Sequence, residues 1–396
     1  MIVGVPRESF PGERRVALVP SVIPGLAKSG IDVLVERGAG ERAGFEDAEY
    51  EDQGAQLAAD RPALLSAAHV VVQVRGYGAN RESGGSDLEA IHPGQVLIGL
   101  HDPLGNPEAT RELGEAQATA FALELLPRIS RAQSMDVLSS MATVAGYKAV
   151  LMTANALDKM APLMMTAAGT VTPARFLVVG AGVAGLQAIA TARRLGAVVQ
   201  AYDVRAAAKE QVESLGAKFL ELELETESAE ASSGYAQSMG EEFYRRQREL
   251  MKSVLAESHA VVTTAAVPGR KAPILITEAM VRGMRPGSVI FDLAAEGGGN
   301  CELTRVGETI EIDGVKIMGP VNLPASIPND ASQMYARNVS AFLRNLVKDG
   351  ALEIDREDPI IRDSLLTYRG EVVNAMVRER LGLPAEGAAA SERSTV

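Results

Sequence analysis

Three glycines spaced G-x-G-x-x-G, Gly180, Gly182 and Gly185, stand directly after the apolar run FLVV and open a helix-like stretch. In that context each has a chemical use. The first permits a tight turn, the second lets the backbone approach a diphosphate, and the third lets the helix pack against the strand. Amide groups and the positive end of the helix dipole, beginning at Val183, then face the phosphates. Asp203 lies 18 residues beyond Gly185, at the end of the next β-branched run, where a carboxylate accepts the hydroxyls of an adenosine ribose. Its charge opposes a 2′-phosphate, so the expected cofactor is NAD(H) rather than NADP(H). Val204 and Arg205 follow at the same edge. A guanidinium there could reach a 2′-phosphate, but a solvated arginine is the expectation.

Farther on, AVVTTAAVPG puts Ala265 and Ala266 at the carboxyl end of a strand, where small residues let a nicotinamide ribose come close or simply make a packed turn. Oxidation of an alcohol or amine also needs a proton acceptor near the hydride. Of the four histidines, His69 and His259 abut apolar strands and are expected to be structural, His92 lies in a turn, and His101 follows a strand in GLHDPLG. His101 has two readings, a residue projecting into a cleft or, no less favoured, a capping or turn residue. PRISRAQSMDVLSS holds a denser polar set, Arg128, Gln133, Asp136 and Ser139. Arg128 offers donors to a ribose or phosphate, and Gln133 matches a carboxamide with both donor and acceptor. Asp136 and Ser139 could equally cap the following helix. None of these is an obvious general base, and no metal is expected.

These residues need elements to hold them. Short β-branched runs at Ile2 to Val5, Asp32 to Glu36, Val70 to Val74, Val96 to Leu100 and Ala120 to Leu125 alternate with helix-like stretches such as Ser21 to Lys28. A second series runs through Phe176 to Val179, Val198 to Asp203, Ala260 to Thr264, Val289 to Leu293 and Val315 to Met318. The alternation predicts an α/β protein with two Rossmann-like, doubly wound parallel-sheet domains and a cofactor cleft between them. Met141 to Leu157 reads as an inter-domain helix, closed by Pro162 and AAGTVTP, and Ala331 to Leu346 as an amphipathic helix that returns to the first domain. The expected domains are 1–140 with 331–384, and 141–330. The tail 385–396 is small and polar and is expected to be disordered. Between a strand ending near Leu222 and a helix from Glu241, the long connection around Gly234 and Tyr235 has two readings, a flap or a solvated acidic loop.

Composition bounds the rest. At 396 residues the chain exceeds the size of one growing core. With 46% apolar and 23% charged residues it has globular usage, and its net charge of −12 argues against nucleic acid or anionic lipid as main ligand. A single cysteine, Cys301, excludes an internal disulfide and suits the cytoplasm. No run reaches the ~18 uninterrupted apolar residues of a membrane span.

Several long motifs, in order, resemble the NAD(H)-binding subunit of proton-translocating NAD(P) transhydrogenase: PRISRAQSMDVLSS, MMTAAGTVTPAR, GVAGLQAIATA, DVRAAAKEQVESLGAKF, GYAQSMGEEF and DLAAEGGGNC. The likeness runs from Met1 to roughly Asn338 and extends to alanine dehydrogenases, which share VPRES and ERRVALVP. It implies an oxidoreductase that takes NADH and passes hydride to NADP⁺ on a partner subunit, coupled to proton movement through a membrane component. Transfer between two nicotinamides moves no proton at the reacting carbons, so proximity and orientation suffice and no base is needed. By carry-over, Arg128, Gln133, Asp136 and Ser139 hold the nicotinamide half, with Gln133 aligning it, and Tyr235 sits on a closing loop. The resemblance also implies a homodimer, peripheral on the cytoplasmic membrane face through separately encoded membrane-spanning and NADP(H)-binding subunits. Two alternatives stand beside it. Alanine dehydrogenases carry a substrate-binding lysine where this chain has Arg75 and a catalytic aspartate where it has Glu296, although Arg15 and His101 match their pattern. A non-catalytic NAD(H)-responsive binding protein is the other.

Overall fold

The computed structural model describes residues 1–221, 241–266, 271–348 and 350–384. Gly234, Tyr235 and the tail 385–396 lie outside the described residues. The chain forms two compact units, Met1–Met141 with Ala325–Val396, and Ala142–Pro324.

The first unit is built on an eight-stranded sheet. Across it run Glu371–Val372, Leu365–Tyr368, Thr119–Ala122, Val96–Leu100, Val70–Arg75, Ile2–Val5, Asp32–Glu36 and Gln56–Ala58. The six strands from the N-terminal part are parallel, Leu365–Tyr368 is antiparallel to Thr119–Ala122, and Glu371–Val372 is antiparallel to Leu365–Tyr368 in turn. Chain order starts at Ile2–Val5, moves outward to Gln56–Ala58, then returns past the first strand to Val70–Arg75. Strand order therefore reverses between Ile2–Val5 and Val70–Arg75.

The second unit repeats the plan. Its seven-stranded sheet is ordered Lys218–Phe219, Val198–Tyr202, Arg175–Val179, Ala260–Thr263, Val289–Asp292, Val315–Met318 and Thr309–Ile312, with only the last antiparallel. Here the reversal falls between Arg175–Val179 and Ala260–Thr263. Both faces of this sheet are covered, which is why its strands read as continuous apolar runs. Phe176, Val178 and Val262 pack on one face with Ile189 and Val150, and Leu177, Val179 and Val261 pack on the other with Met251 and Leu255.

Most elements shift by a residue or a few at their ends, and some change more than their bounds. The run expected as a strand from Ala120 to Leu125 stops at Ala122, and Leu123–Leu125 turns as a 3-10 helix ahead of Pro127, which cannot donate to a ladder. The inter-domain helix begins at Val137, not Met141, because Asp136 caps it. The segment expected to close that helix instead forms a hairpin, Met164–Thr166 with Gly169–Val171. The Val137–Ala156 helix is long and apolar enough to cross a membrane, and its Ala149 and Val150 are fully buried in the second unit's core.

Pro328–Leu346 is a helix of the first unit with Pro at its start, where the missing N–H costs nothing. Tyr335, Val339, Phe342, Leu343 and Leu346 form its buried stripe. Tyr335 donates its hydroxyl to the Gln73 carbonyl at 2.8 Å, and Phe342 meets Phe121 edge-on at 5.5 Å.

Candidate nucleotide site

The reversal point of the second sheet is where an open α/β sheet leaves a crevice at its carboxyl edge. Arg175–Val179 runs into Gly180, and the Val183–Arg194 helix starts two residues after Ala181. Gly180 has φ +99°, a conformation side chains rarely adopt. A Cβ at Gly185 would lie 1.8 Å from the Gly180 carbonyl oxygen, so helix and strand close on each other only through glycine. A Cβ at Gly182 would meet nothing within 4 Å. Two glycines are therefore required by the chain's own packing, whereas the middle one faces open space beside the helix N-terminus. That division fits a diphosphate seated against Gly182.

Asp203 follows the Val198–Tyr202 strand and is nearly buried. Its Oδ2 accepts the Ala181 N–H at 2.7 Å, tying the second strand's end to the glycine turn. Arg205 is not solvated, contrary to the sequence expectation. Its backbone N–H and Nε reach Asp203 Oδ1 at 2.8 and 2.9 Å, Nη2 reaches Oδ2 at 3.0 Å, and the side chain is 17% exposed. The short separation lets a guanidinium fold back bidentately on a nearly buried carboxylate. Val204 is half-buried against the second unit's core, and Val183 is 38% exposed at the helix start. Across the reversal point, Thr264 donates its hydroxyl to the Gly180 carbonyl at 3.0 Å. Ala265 follows half-buried and Ala266 exposed.

In the first unit, Arg128 and Gln133 are exposed on the segment before the Val137–Ala156 helix. Asp136 caps that helix, accepting the Ser139 N–H at 2.9 Å and the Ser139 hydroxyl at 2.6 Å. This is the structural role that its position in the sequence left open. The Asn338 amide donates to the Ser134 carbonyl at 2.8 Å and so holds the turn beside Gln133, a contact 204 residues apart that no local pattern signals.

A polar cluster lies at the carboxyl edge of the first sheet. Arg15 is buried and chelated by the fully buried Glu13, Nε to Oε1 at 2.7 Å and Nη2 to Oε2 at 2.6 Å. Arg75 lies over the Phe10 ring at 4.6 Å. Glu8 accepts the Val74 and Arg75 N–H groups, and burial, with Glu13 nearby, pushes its carboxyl up to about 7. The His101 ring is buried without a hydrogen-bond partner on either nitrogen, and desolvation holds it down to about 4, so it is neutral at pH 7. His69 and His259 accept backbone N–H groups of neighbouring strands, from Ile2 and Arg175, and are structural. Glu296 accepts the Asn322 N–H at 3.0 Å.

Two doubly wound sheets, one with a glycine turn at its reversal point, place the protein in the two-domain α/β class built on dinucleotide folds. Comparison narrows the class. Residues 4–145 match the alanine dehydrogenase/PNT N-terminal domain, and residues 149–375 match the C-terminal domain of the same family. An NAD(P) transhydrogenase alpha-subunit polypeptide of Rhodospirillum rubrum is 47% identical over 94% of this chain and 98% of its own length. The crystal structure of transhydrogenase from Sinorhizobium meliloti superposes with a TM-score of 0.82 at 43% identity, covering 95% of this chain and 99% of that one. Alanine dehydrogenase of Bacillus subtilis is 29% identical over 100% of this chain and 99% of its own length. The chain belongs to the alanine dehydrogenase/PNT family of oxidoreductases, and within it resembles the transhydrogenase alpha subunits most strongly among these relatives.

Proposed function

We propose that this chain is the NAD(H)-binding subunit of a proton-translocating NAD(P) transhydrogenase. In this reading it acts as a homodimer, docks at the cytoplasmic membrane face through its partners, and passes hydride from NADH to NADP⁺ held on a partner subunit. The observation that carries the nucleotide assignment is the open space at Gly182 between two glycines that the fold itself requires. When bound, NADH supplies the hydride. The residues of this chain bind and orient. The N-terminus of the Val183–Arg194 helix, with Gly180, Gly182 and Gly185, takes the diphosphate, and Asp203 with Val204 and Arg205 takes the adenosine ribose. Ala265 and Ala266 admit the nicotinamide ribose, while Arg128 and Gln133 orient the nicotinamide half, with Asp136 and Ser139 shaping their segment. Gly234 and Tyr235 belong to the closing loop in this reading.

Alanine dehydrogenase is the second reading, and His101 favours it, since a buried imidazole with two unused nitrogens at a sheet's carboxyl edge suits a small-molecule pocket. Against it, the Arg15 Nε and Nη2 donors that would grip a substrate carboxylate are bound to Glu13. The direct test of the nucleotide site is a fluorescence titration with NADH and NADPH on the wild type and Gly182→Ala. Wild type should prefer NADH, and the added methyl should weaken NADH about tenfold or more, with the unfolding temperature little changed. Unaltered NADH affinity in Gly182→Ala would remove the diphosphate from this turn.

A further inference from the structure

The motif DLAAEGGGNC has no part in the proposed nucleotide contacts, yet it encloses one of the most heavily hydrogen-bonded carboxylates in the second unit. Asp292, at the end of its strand, is fully buried. Its Oδ1 accepts the Thr263 hydroxyl at 2.9 Å and the Ala294 N–H at 3.1 Å. Its Oδ2 accepts the Asn300 N–H at 2.7 Å, the Cys301 N–H at 3.1 Å and the Thr304 hydroxyl at 2.7 Å. Gly299, at φ +80°, lets the turn wrap this close, since a Cβ there would stand 2.9 Å from Oδ2.

The turn delivers Asn300, which is fully buried. Its Oδ1 accepts the Ala265 N–H at 3.0 Å, and its Nδ2 donates to the carbonyls of Ala265 at 2.7 Å and Pro273 at 2.9 Å. Ala265 lies just past the sheet ladder, whose last pairs on that strand join Thr263 to Val179 and Asp292. Thr264 still donates its N–H to Val179, but both backbone groups of Ala265 are satisfied by one side chain. The Asn300 amide thus substitutes for a neighbouring strand, and it fastens the segments on both sides of residues 267–270.

We infer that Asn300 is a positioning residue for hydride transfer: its amide fixes the Ala265 peptide, the wall against which the nicotinamide ribose rests. The inference depends on the nucleotide reading above. Only a carboxamide satisfies the arrangement, because two carbonyl oxygens and one N–H require two donors and one acceptor. Asn300→Asp keeps the shape but sets a carboxylate oxygen against two carbonyls.

The test is binding of NADH and of ADP, which lacks the nicotinamide half, to the full chain as wild type, Asn300→Asp and Thr304→Val. Thr304→Val removes a donor to the same Asp292 without touching Ala265, and reports loss of fold stability alone. Asn300→Asp should weaken NADH about tenfold or more while ADP changes by less than about twofold, and Thr304→Val should lower the unfolding temperature with NADH affinity kept. If Asn300→Asp does not fold, Asn300→Ser removes the paired carbonyl contacts without adding charge, and the same outcomes apply. NADH affinity unchanged by the Asn300 substitution, or lost in parallel with ADP, would overturn the positioning role. A wild type that binds neither ADP nor NADH would instead overturn the nucleotide reading on which it rests.

Discussion

Glu124 has one oxygen in heavy use and one idle. Its Oε1 accepts the N–H groups of His101 and Asp102, both at 2.6 Å, and its buried Oε2 has no partner. Burial pushes the carboxyl up to about 7 from an ordinary 4.5. Between those values the folded chain keeps a proton that the unfolded chain has released, so this group's contribution to stability falls as pH rises from about 4.5 to 7. Glu124→Gln keeps the Oε1 acceptor and abolishes the charge. Compared with wild type by urea unfolding, the variant should gain stability on the order of 1–2 kcal/mol between pH 5 and pH 8. His101 acts in the opposite direction, losing stability as pH falls from 6.5 toward 4. A Glu124→Gln difference independent of pH would mean that the carboxyl stays charged throughout. Residues of this kind are the least legible in a sequence. Gly180, Gly182 and Gly185 could be read because the motif dictates backbone shape. The pairs Glu13 with Arg15 and Asp203 with Arg205 could not, because each depends on a rotamer chosen when the neighbours bury it.

At the scale of elements, the Val137–Ala156 helix shows how one residue serves two accounts. Asp136 caps it through Ser139, and the proposed function also puts Asp136 beside the nicotinamide half. Asp136→Ala should cost about 1 kcal/mol by thermal or urea unfolding, the ordinary value of a lost cap. NADH affinity reduced well beyond that loss would mean that the carboxylate also meets the nucleotide. The central parallel strands are legible because burial on both faces writes them as continuous β-branched runs, whereas the three-residue edge strand Gln56–Ala58, half open to solvent, carries no such run. The hairpin Met164–Val171 was not legible, since it carries exposed apolar residues, Met165 at 83%, where a buried alternation would be expected. Leu365–Tyr368 and Glu371–Val372 were missed for another reason. They are short, and join the first sheet by pairing with Thr119–Ala122 and with each other. The Ala120 N–H donates there to the Thr367 hydroxyl, 247 residues away, and no local pattern announces such a partnership.

For the whole molecule, the second unit keeps a glycine turn, an acidic strand end and a small-residue wall around one reversal point. The polar edge of the first unit is instead consumed largely by its own contacts, Glu13 on Arg15 and Glu8 on the backbone of Val74 and Arg75. A protein that needs only to hold one nicotinamide against another requires no general base. Stopped-flow transfer from NADH to an NADP⁺ analogue tests this most directly. The full chain is mixed with a transhydrogenase NADP(H)-binding component, with Gln133→Ala and a pyruvate-plus-ammonium reaction alongside. Rapid oxidation of NADH is expected, dependent on the second component and about tenfold or more slower in Gln133→Ala. Oxidation of NADH by pyruvate and ammonium alone, with no transfer to the analogue, would contradict the transhydrogenase reading.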